Sequence, residues 1–467
     1  MAEEEVKGSV DALAFPLLAQ GHIIPFMRLC ELLASKDLNV VFLTTPLNAK
    51  RLKAKRNAVS SSLVRVMDIA LPSVPGLPDG TENTEKLTPL QISTLFTGIE
   101  QMEISFTQLV ARLRPKCLIA DFCPFFLPAV ADQLKIPVFF YVTMGAYGLS
   151  MIEAVINSLP LLIPADSPPT VFLPGFPKRV PIHDSDMLHP FRGAGRTGMP
   201  HDLFFKFFEH IRRSQGVIMN AFDEMEGEFV DHVQSSFGVP VWSIGPVLSS
   251  PSGDFEEGGV EEWLDRRASG SVVYANFGSE IALSGDQTKV VAEGLEASRQ
   301  CFLWAVKNPP GDEPLFHLLH GFRQRTADCG LVVTGWAPQQ AILSHPSIGG
   351  FLSHCGWNST LESISNGIPI LAWPFQNDQP FVKKLLVEEL RVAEEVKMEA
   401  MGNGVFTVTS AEIERGVKLI IEGKEGKDMR MRACELKEAA IHAVGEGGSS
   451  FTNLEKIVSL IHNIPTK

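Results

Sequence analysis

Short runs of consecutive apolar residues recur along the chain, separated by stretches whose apolar positions return every three or four residues. Asp11-Ala12-Leu13-Ala14-Phe15-Pro16-Leu17 reads as a buried strand, followed by a Gly-His turn and an apolar-periodic helix through Leu33. Val40-Val41-Phe42-Leu43, Cys117-Leu118-Ile119-Ala120 and Val138-Phe139-Phe140-Tyr141-Val142 read as further strands with helices between them. Strands that are apolar on both faces and alternate with helices predict a parallel sheet covered on both sides.

The alternation breaks at the turn-rich, polar stretch 245–256, which suits a linker. It then restarts with Val272-Val273-Tyr274-Ala275-Asn276-Phe277, Phe302-Leu303-Trp304-Ala305-Val306, Leu331-Val332-Val333 and Ile368-Pro369-Ile370-Leu371-Ala372. The pattern predicts an α/β protein with two Rossmann-like domains, 1–244 and 257–445, whose parallel sheets face each other across a cleft. A last helix in 446–467 is expected to pack back on the N-terminal domain. Ligands in such sheets bind beyond the carboxyl ends of the strands. The Pro-, Gly- and His-rich stretch 163–200 is expected to be an irregular loop, and no repeat is evident beyond the duplicated architecture.

Charge narrows the ligand classes. The formal net charge is -13 with no basic stripe, which argues against nucleic acid, and a polyanionic ligand must be held by local dipoles and donors. The seven cysteines are odd in number and form no CxxC pair, so reduced thiols are expected rather than a disulfide or zinc framework. Met1-Ala2-Glu3-Glu4-Glu5 lacks a basic n-region, and no apolar run reaches the roughly 18–20 residues of a membrane span. A soluble, cytoplasmic protein is expected.

Two motifs mislead. Gly193-Ala194-Gly195-Arg196-Thr197-Gly198 fits GxGxxG but lacks the strand–turn–helix context of a dinucleotide site. Asn358-Ser359-Thr360 is a glycosylation sequon without a secretory signal before it. The informative region is 336–379. Trp336-Ala337-Pro338-Gln339-Gln340 closes a strand and opens a helix, with Pro338 suited to the first turn. Ile348-Gly349-Gly350-Phe351-Leu352 then leads into Ser353-His354-Cys355-Gly356-Trp357-Asn358-Ser359-Thr360-Leu361-Glu362, a strand, a tight turn and a helix start. Open N–H groups and the helix dipole make such a start a phosphate site, and Glu362 is placed to accept from ribose hydroxyls. A competing reading makes Ser359-x-x-Glu362 a capping box, worth about 0.5–2 kcal/mol through its serine.

Taken together, Trp336-Ala337-Pro338-Gln339, His354-Cys355-Gly356-Trp357-Asn358-Ser359, Glu362, Trp373-Pro374 and Asp378-Gln379 closely resemble the donor motif of plant family-1 UDP-glycosyltransferases. The resemblance extends, more weakly, over nearly the whole chain. It implies the GT-B fold and a metal-independent enzyme that uses a UDP-sugar as co-substrate and acts as a monomer. It further implies that Trp336 stacks on uracil, the Ala337 backbone bonds the uracil edge, and Gln339 and Glu362 hold the ribose. The Gly356 turn with His354, Asn358, Ser359 and Ser279 would bind the diphosphate, and Trp357, Asp378 and Gln379 the sugar. A glutamine at the last motif position accompanies glucose donors; Asp378 stands where many relatives have Glu.

The chemistry needs a base to deprotonate an acceptor hydroxyl as the anomeric carbon is attacked. His22 follows the first strand in Ala19-Gln20-Gly21-His22, and Asp121 ends a later strand of the same sheet. In the family such a histidine is the base and such an aspartate orients it. Phe122, Phe125, Phe126, Met144 and Tyr147 follow the site strands and are expected to line an apolar acceptor pocket, with 187–207 as a lid. Inverting transfer of glucose from UDP-glucose to a flavonoid-like phenolic is therefore expected. C-glycosylation and extension of an existing glycoside stay open, as do two other classes, a sugar-nucleotide epimerase and a non-catalytic UDP-sugar binder.

Overall fold

The first apolar run forms strand β1 (Ala12–Phe15), and all four of its residues are buried. The computed structural model describes residues 9–57, 64–85, 87–162, 170–183, 186, 199–248, 259–307, 313–400 and 406–465. Next in chain order come β2 (Val40–Thr44), β3 (Arg65–Asp68), β4 (Cys117–Ala120) and β5 (Val138–Val142). An antiparallel pair, β6 (Thr170–Phe172) and β7 (Pro181–His183), precedes β8 (Gly216–Met219) and β9 (Val241–Ser243). All but β6 and β7 join one parallel sheet in the order β3-β2-β1-β4-β5-β8-β9. Parallel neighbours need a crossover, which the helix Gln20–Ala34 supplies between β1 and β2.

The expected irregular loop over 163–200 is therefore not uniformly irregular, because β6 and β7 pair within it. From Met199 the chain is helical through Arg212, so the last part of the expected lid is a regular element. The GxGxxG stretch and most of the expected linker, 249–256, lie outside the described residues.

The chain divides into two compact units. The first comprises Met1–Asp184, Pro190–Val247 and Ala443–Lys467. Its core gathers Ile23, Phe26 and Cys30 with Phe42, Ile119 and Tyr141 of the sheet. Leu454, Ile457, Val458 and Ile461, on the helix Ser449–His462, complete that core. Ser450 Oγ ties the same helix to the Gly245 carbonyl, 2.5 Å away.

The second unit comprises Ser185–His189 and Leu248–His442. Its strands are β10 (Val272–Asn276), β11 (Cys301–Val306), β12 (Gly330–Thr334), β13 (Ile348–Ser353), β14 (Ile370–Ala372) and β15 (Ala393–Glu395). They pair in parallel in the order β12-β11-β10-β13-β14-β15.

Each sheet winds outward in two directions, and the order reverses at one pair of strands. In the first sheet that pair is β1 and β4, with Phe15 opposite Ala120. In the second it is β10 and β13, with Asn276 opposite Ser353. At such a switch the following helices diverge and leave a crevice at the carboxyl ends of the strands. His22 and Asp121 follow the first pair. Ser279 and His354 follow the second.

Candidate active site

In the first unit, three neighbouring strands deliver three polar side chains at their carboxyl ends. β1 leads into the helix bearing His22, β4 into Asp121, and β5 into Thr143. His22 Nδ1 lies 2.8 Å from Asp121 Oδ2 and 3.1 Å from Thr143 Oγ1. The Asp121 carboxylate also accepts from the backbone N–H of Leu17 at 2.8 Å and of Phe122 at 2.6 Å. With two N–H donors already on it, this carboxylate meets Nδ1 as an acceptor and favours the tautomer with the imidazole proton there. Nε2 is left with its lone pair, the form a general base requires. The aspartate side chain is 2% exposed and the histidine 25%, so the imidazole is reachable while its partner is not.

The residues expected to line an acceptor pocket fall into two groups. Phe126 is buried against Phe106, and Tyr147 is buried in the core against Phe176 and Phe229. Phe122, Phe125 and Met144 are half-buried beside Asp121 and Thr143 in sequence. The ring of Phe122 packs on Phe125 and on Phe204 and Phe207 of the helix Met199–Arg212. Glu100 holds the intervening loop by accepting from the Phe125 N–H at 2.7 Å, and burial raises its pKa above the usual carboxylate value.

In the second unit the imidazole of His354 is wedged between two glycine-bearing turns. A Cβ on Gly278 would stand 2.6 Å from His354 Nε2, and one on Gly356 would stand 2.4 Å from it. Gly278 also has φ +74°, which a side chain would strain. Burial, reinforced by the positive charge of Lys307, lowers the His354 pKa to about 4, so this imidazole is neutral near pH 7. The Lys307 ammonium donates to the Ser279 carbonyl. Cys355 adopts φ 64°, and this left-handed turn aims the chain into the helix Trp357–Ser365. That helix is capped by Gly356 without any side-chain cap, and its first internal bond is from the Thr360 N–H to the Gly356 carbonyl. The start of the helix thus carries the positive end of its dipole into the switch-point crevice.

The capping-box reading of Ser359 and Glu362 does not hold. The helix begins at Trp357, so Ser359 is already inside its first turn. Both side chains instead face Gln339, whose Nε2 donates to Ser359 Oγ at 2.9 Å and to Glu362 Oε2 at 2.6 Å. Gln339 Oε1 accepts from Asn276 Nδ2 at 2.9 Å, and Asn276 Oδ1 accepts from the Gly278 N–H at 3.0 Å. One amide chain therefore links the strand ends of β10 and β13 and the helix Gln339–Ser344. Trp336 is 70% exposed just past β12, while Ala337 beside it is buried.

Gln379 opens the helix Gln379–Lys384 and is buried. Its Oε1 accepts from the backbone N–H of Phe375 and of Gln376, each at 2.9 Å. Two N–H donors fix which end of the amide is oxygen, and they occupy both of its lone pairs. Asp378, the preceding cap, makes no side-chain cap bond and is half-buried.

Thr143, Asn276, Glu100 and Lys307 escaped the reading of the sequence. A strand-end position common to Thr143, Asn276 and Lys307 was the one available signal. Among the described residues no group of three or more His, Cys, Asp or Glu side chains is placed to hold a metal ion. No helix among them is long and apolar enough to cross a membrane.

Two Rossmann-like units with polar crevices at both switch points define a transferase of the GT-B class, and sequence comparison reaches the same class. The family model described as UDP-glucoronosyl and UDP-glucosyl transferase matches residues 222–440. UDP-glycosyltransferase 73C3 of Arabidopsis thaliana is 35% identical over 96% of this chain and 95% of its own. UDP-glucosyl transferase 73M2 of Saponaria officinalis is 32% identical over 97% of each. Among solved structures, Glycyrrhiza uralensis UGT73P12, complexed with glycyrrhetinic acid 3-O-monoglucuronide, superposes with a TM-score of 0.87 at 27% identity, covering 98% and 96% of the two chains. Phytolacca americana UGT2, complexed with UDP-2fluoro-glucose and pterostilbene, gives 0.80 at 30% identity, covering 98% and 100%. The chain belongs to the UDP-glycosyltransferase family and is an enzyme that transfers sugar from a UDP-sugar. Within the family it is similar to plant members of group 73.

Proposed function

We propose that the enzyme transfers glucose from UDP-glucose, with inversion, to a hydroxyl of a small apolar acceptor, with His22 as the base. The observation that carries this reading is the His22 Nδ1 to Asp121 Oδ2 contact of 2.8 Å. It sets the tautomer in which Nε2 takes the acceptor proton while the oxygen attacks the anomeric carbon and UDP departs. Asp121 stabilises the imidazolium that forms.

The second unit supplies the donor side. Trp336 offers an exposed face for uracil, and Gln339 with Glu362 suits the ribose hydroxyls. The uncapped helix start, neutral His354, Ser279 and Asn358 with Ser359 offer dipoles and neutral donors to the diphosphate. Lys307 adds a cation, so the leaving charge is met without a metal. Gln379 presents its Nε2 to the sugar as a donor only, because its carbonyl oxygen is already filled. Trp357 and Asp378 complete the sugar side.

Half-buried Phe122, Phe125 and Met144 form the acceptor-facing surface. Relatives with this fold are complexed with pterostilbene, with quercetin and with glycyrrhetinic acid 3-O-monoglucuronide, which supports apolar ring systems as acceptors. The test is incubation with UDP-glucose and a panel of phenols and glycosides, with and without EDTA, products being identified by mass and acid stability. Acid-labile glucosides formed in EDTA are expected. Acid-resistant products would mean attack by carbon, and free glucose without any conjugate would remove the transfer reading.

A further inference from the structure

We propose that Asp186 is a positioning residue for the sugar end of the donor site, holding through two buried lysines the helix that carries Gln379. The inference rests on the sugar-reading role proposed above for Gln379. Lys383 and Lys384 close the helix Gln379–Lys384, and both are buried. Lys383 Nζ donates to Asp186 Oδ1 at 3.0 Å and to Glu395 Oε1 at 2.7 Å. Lys384 Nζ donates to Asp186 Oδ2 at 3.2 Å and to Glu388 Oε1 at 2.7 Å. Each oxygen of one carboxylate thus serves a different ammonium. Asp186 is 3% exposed at its side chain, whereas Glu388 and Glu395 are each 38% exposed. Asp186 is therefore the counter-charge that water cannot replace.

Burial by itself disfavours the Lys383 ammonium, and the Asp186 and Glu395 carboxylates more than offset that, so its pKa lies above the ordinary lysine value. A buried ion pair of this kind contributes little net stability against an apolar substitute, but it fixes geometry, because losing one partner strands a charge. The geometry it fixes here is that of Gln379. Lys383 is four residues on from Gln379 and so lies one turn further along the same helix face. The other end of Gln379 is pinned by the Phe375 and Gln376 N–H groups. The amide oxygen is thus held at the start of the helix and the helix itself one turn further on. Asp186 belongs to the second unit although the stretches before and after it in the chain belong to the first, so sequence proximity gives no hint of the tie.

Four proteins test this: wild type, Gln379→Ala, Asp186→Asn, and Asp186→Asn with Lys384→Met. Each is assayed for kcat/KM with UDP-glucose and with UDP-galactose, for UDP affinity and for thermal stability. Asp186→Asn is expected to erode the glucose preference toward that of Gln379→Ala, from roughly 5- to 150-fold down to a few-fold. UDP affinity is expected to stay unchanged, since uracil, ribose and diphosphate are held elsewhere. The double variant removes the more buried of the two ammoniums that Asp186 served and leaves Lys383 on Glu395 alone, so it is expected to recover part of the stability but not the preference, which keeps the test alive if the single variant unfolds. Recovery of both by the double variant, or wild-type preference in Asp186→Asn, overturns the positioning role. Wild-type donor kinetics in Gln379→Ala overturn the reading of Gln379 itself, and with it this inference, through a different variant.

Discussion

His22 Nδ1 and Asp121 Oδ2 stand 2.8 Å apart, one on the helix that follows β1 and the other directly after the neighbouring β4, so two elements of one sheet unit set their separation. His22→Ala is expected to lower kcat by roughly 10²- to 10⁴-fold with UDP affinity unchanged. Turnover on an ordinary alcohol and UDP titration calorimetry check it. Asp121→Asn keeps the volume but offers one acceptor oxygen where three N–H donors converge, and about 10²-fold of kcat is expected to go with it. Wild-type turnover in either variant would end the assignment.

Thr143→Val is a finer probe of the same imidazole. It removes an oxygen 3.1 Å from His22 Nδ1 while leaving Asp121 in place. A single neutral hydrogen bond of this kind corresponds to roughly a 2- to 10-fold fall in kcat. A loss as large as that of His22→Ala would make the threonine, not the aspartate, the main orienting partner.

Trp336→Ala addresses the proposed uracil platform. The ring is 70% exposed, so its removal leaves stability almost unchanged. Losing one stacked base costs about 1–3 kcal/mol, or roughly a 5- to 150-fold rise in KM for the donor. Donor KM measured beside a thermal melt separates the two effects, and an unchanged KM would remove the platform.

His354 gives an acid limb to stability. Its pKa falls from 6.5 to about 4 on folding, so between those values the unfolded chain binds more protons than the folded one. Stability therefore declines as pH falls through this window, by about 3 kcal/mol in all at this site. Denaturant titrations at pH 7 and pH 4 are expected to show a smaller difference for His354→Asn than for wild type. Equal differences would mean that the imidazole is charged in the folded state.

The proposed sugar-reading role of Gln379 makes donor choice depend on its filled oxygen. With only Nε2 to offer, this residue can donate to an equatorial C4 hydroxyl but cannot re-pair as an acceptor when that hydroxyl turns axial. UDP-glucose is expected to be preferred over UDP-galactose by roughly 5- to 150-fold, and Gln379→Ala to lower glucose transfer more than UDP binding. Equal kcat/KM for the two donors would leave the sugar unread by this residue.

The strand ends were legible because each is a physical discontinuity. Cys117-Leu118-Ile119-Ala120 and Val138-Phe139-Phe140-Tyr141-Val142 are buried on both faces, and the first polar residue beyond each marks the crevice. Asp121 and Thr143 have the same origin, yet a threonine after a strand is too common to single out. Asn276 and Lys307 act through partners far away in sequence, Gln339 and Ser279, which no local pattern encodes. The capping box failed because Gly356, extended at ψ 139°, starts the helix earlier than a serine-led reading places it. Phe126 and Tyr147 lie in the core because apolar residues near a site strand serve packing and binding with the same composition.

The helix Ser449–His462 makes the order of synthesis part of the fold. Its Leu454, Ile457 and Ile461 close a core whose other members, Ile23, Phe26 and Phe42 among them, leave the ribosome before any of the second unit's sheet. The first unit is held waiting with an apolar face uncovered while an entire neighbour is translated, and the closing contact spans most of the chain. A frameshift or stop codon ahead of Leu454 consequently damages the unit that was made first, and leaves the His22–Asp121 pair on an unfinished foundation.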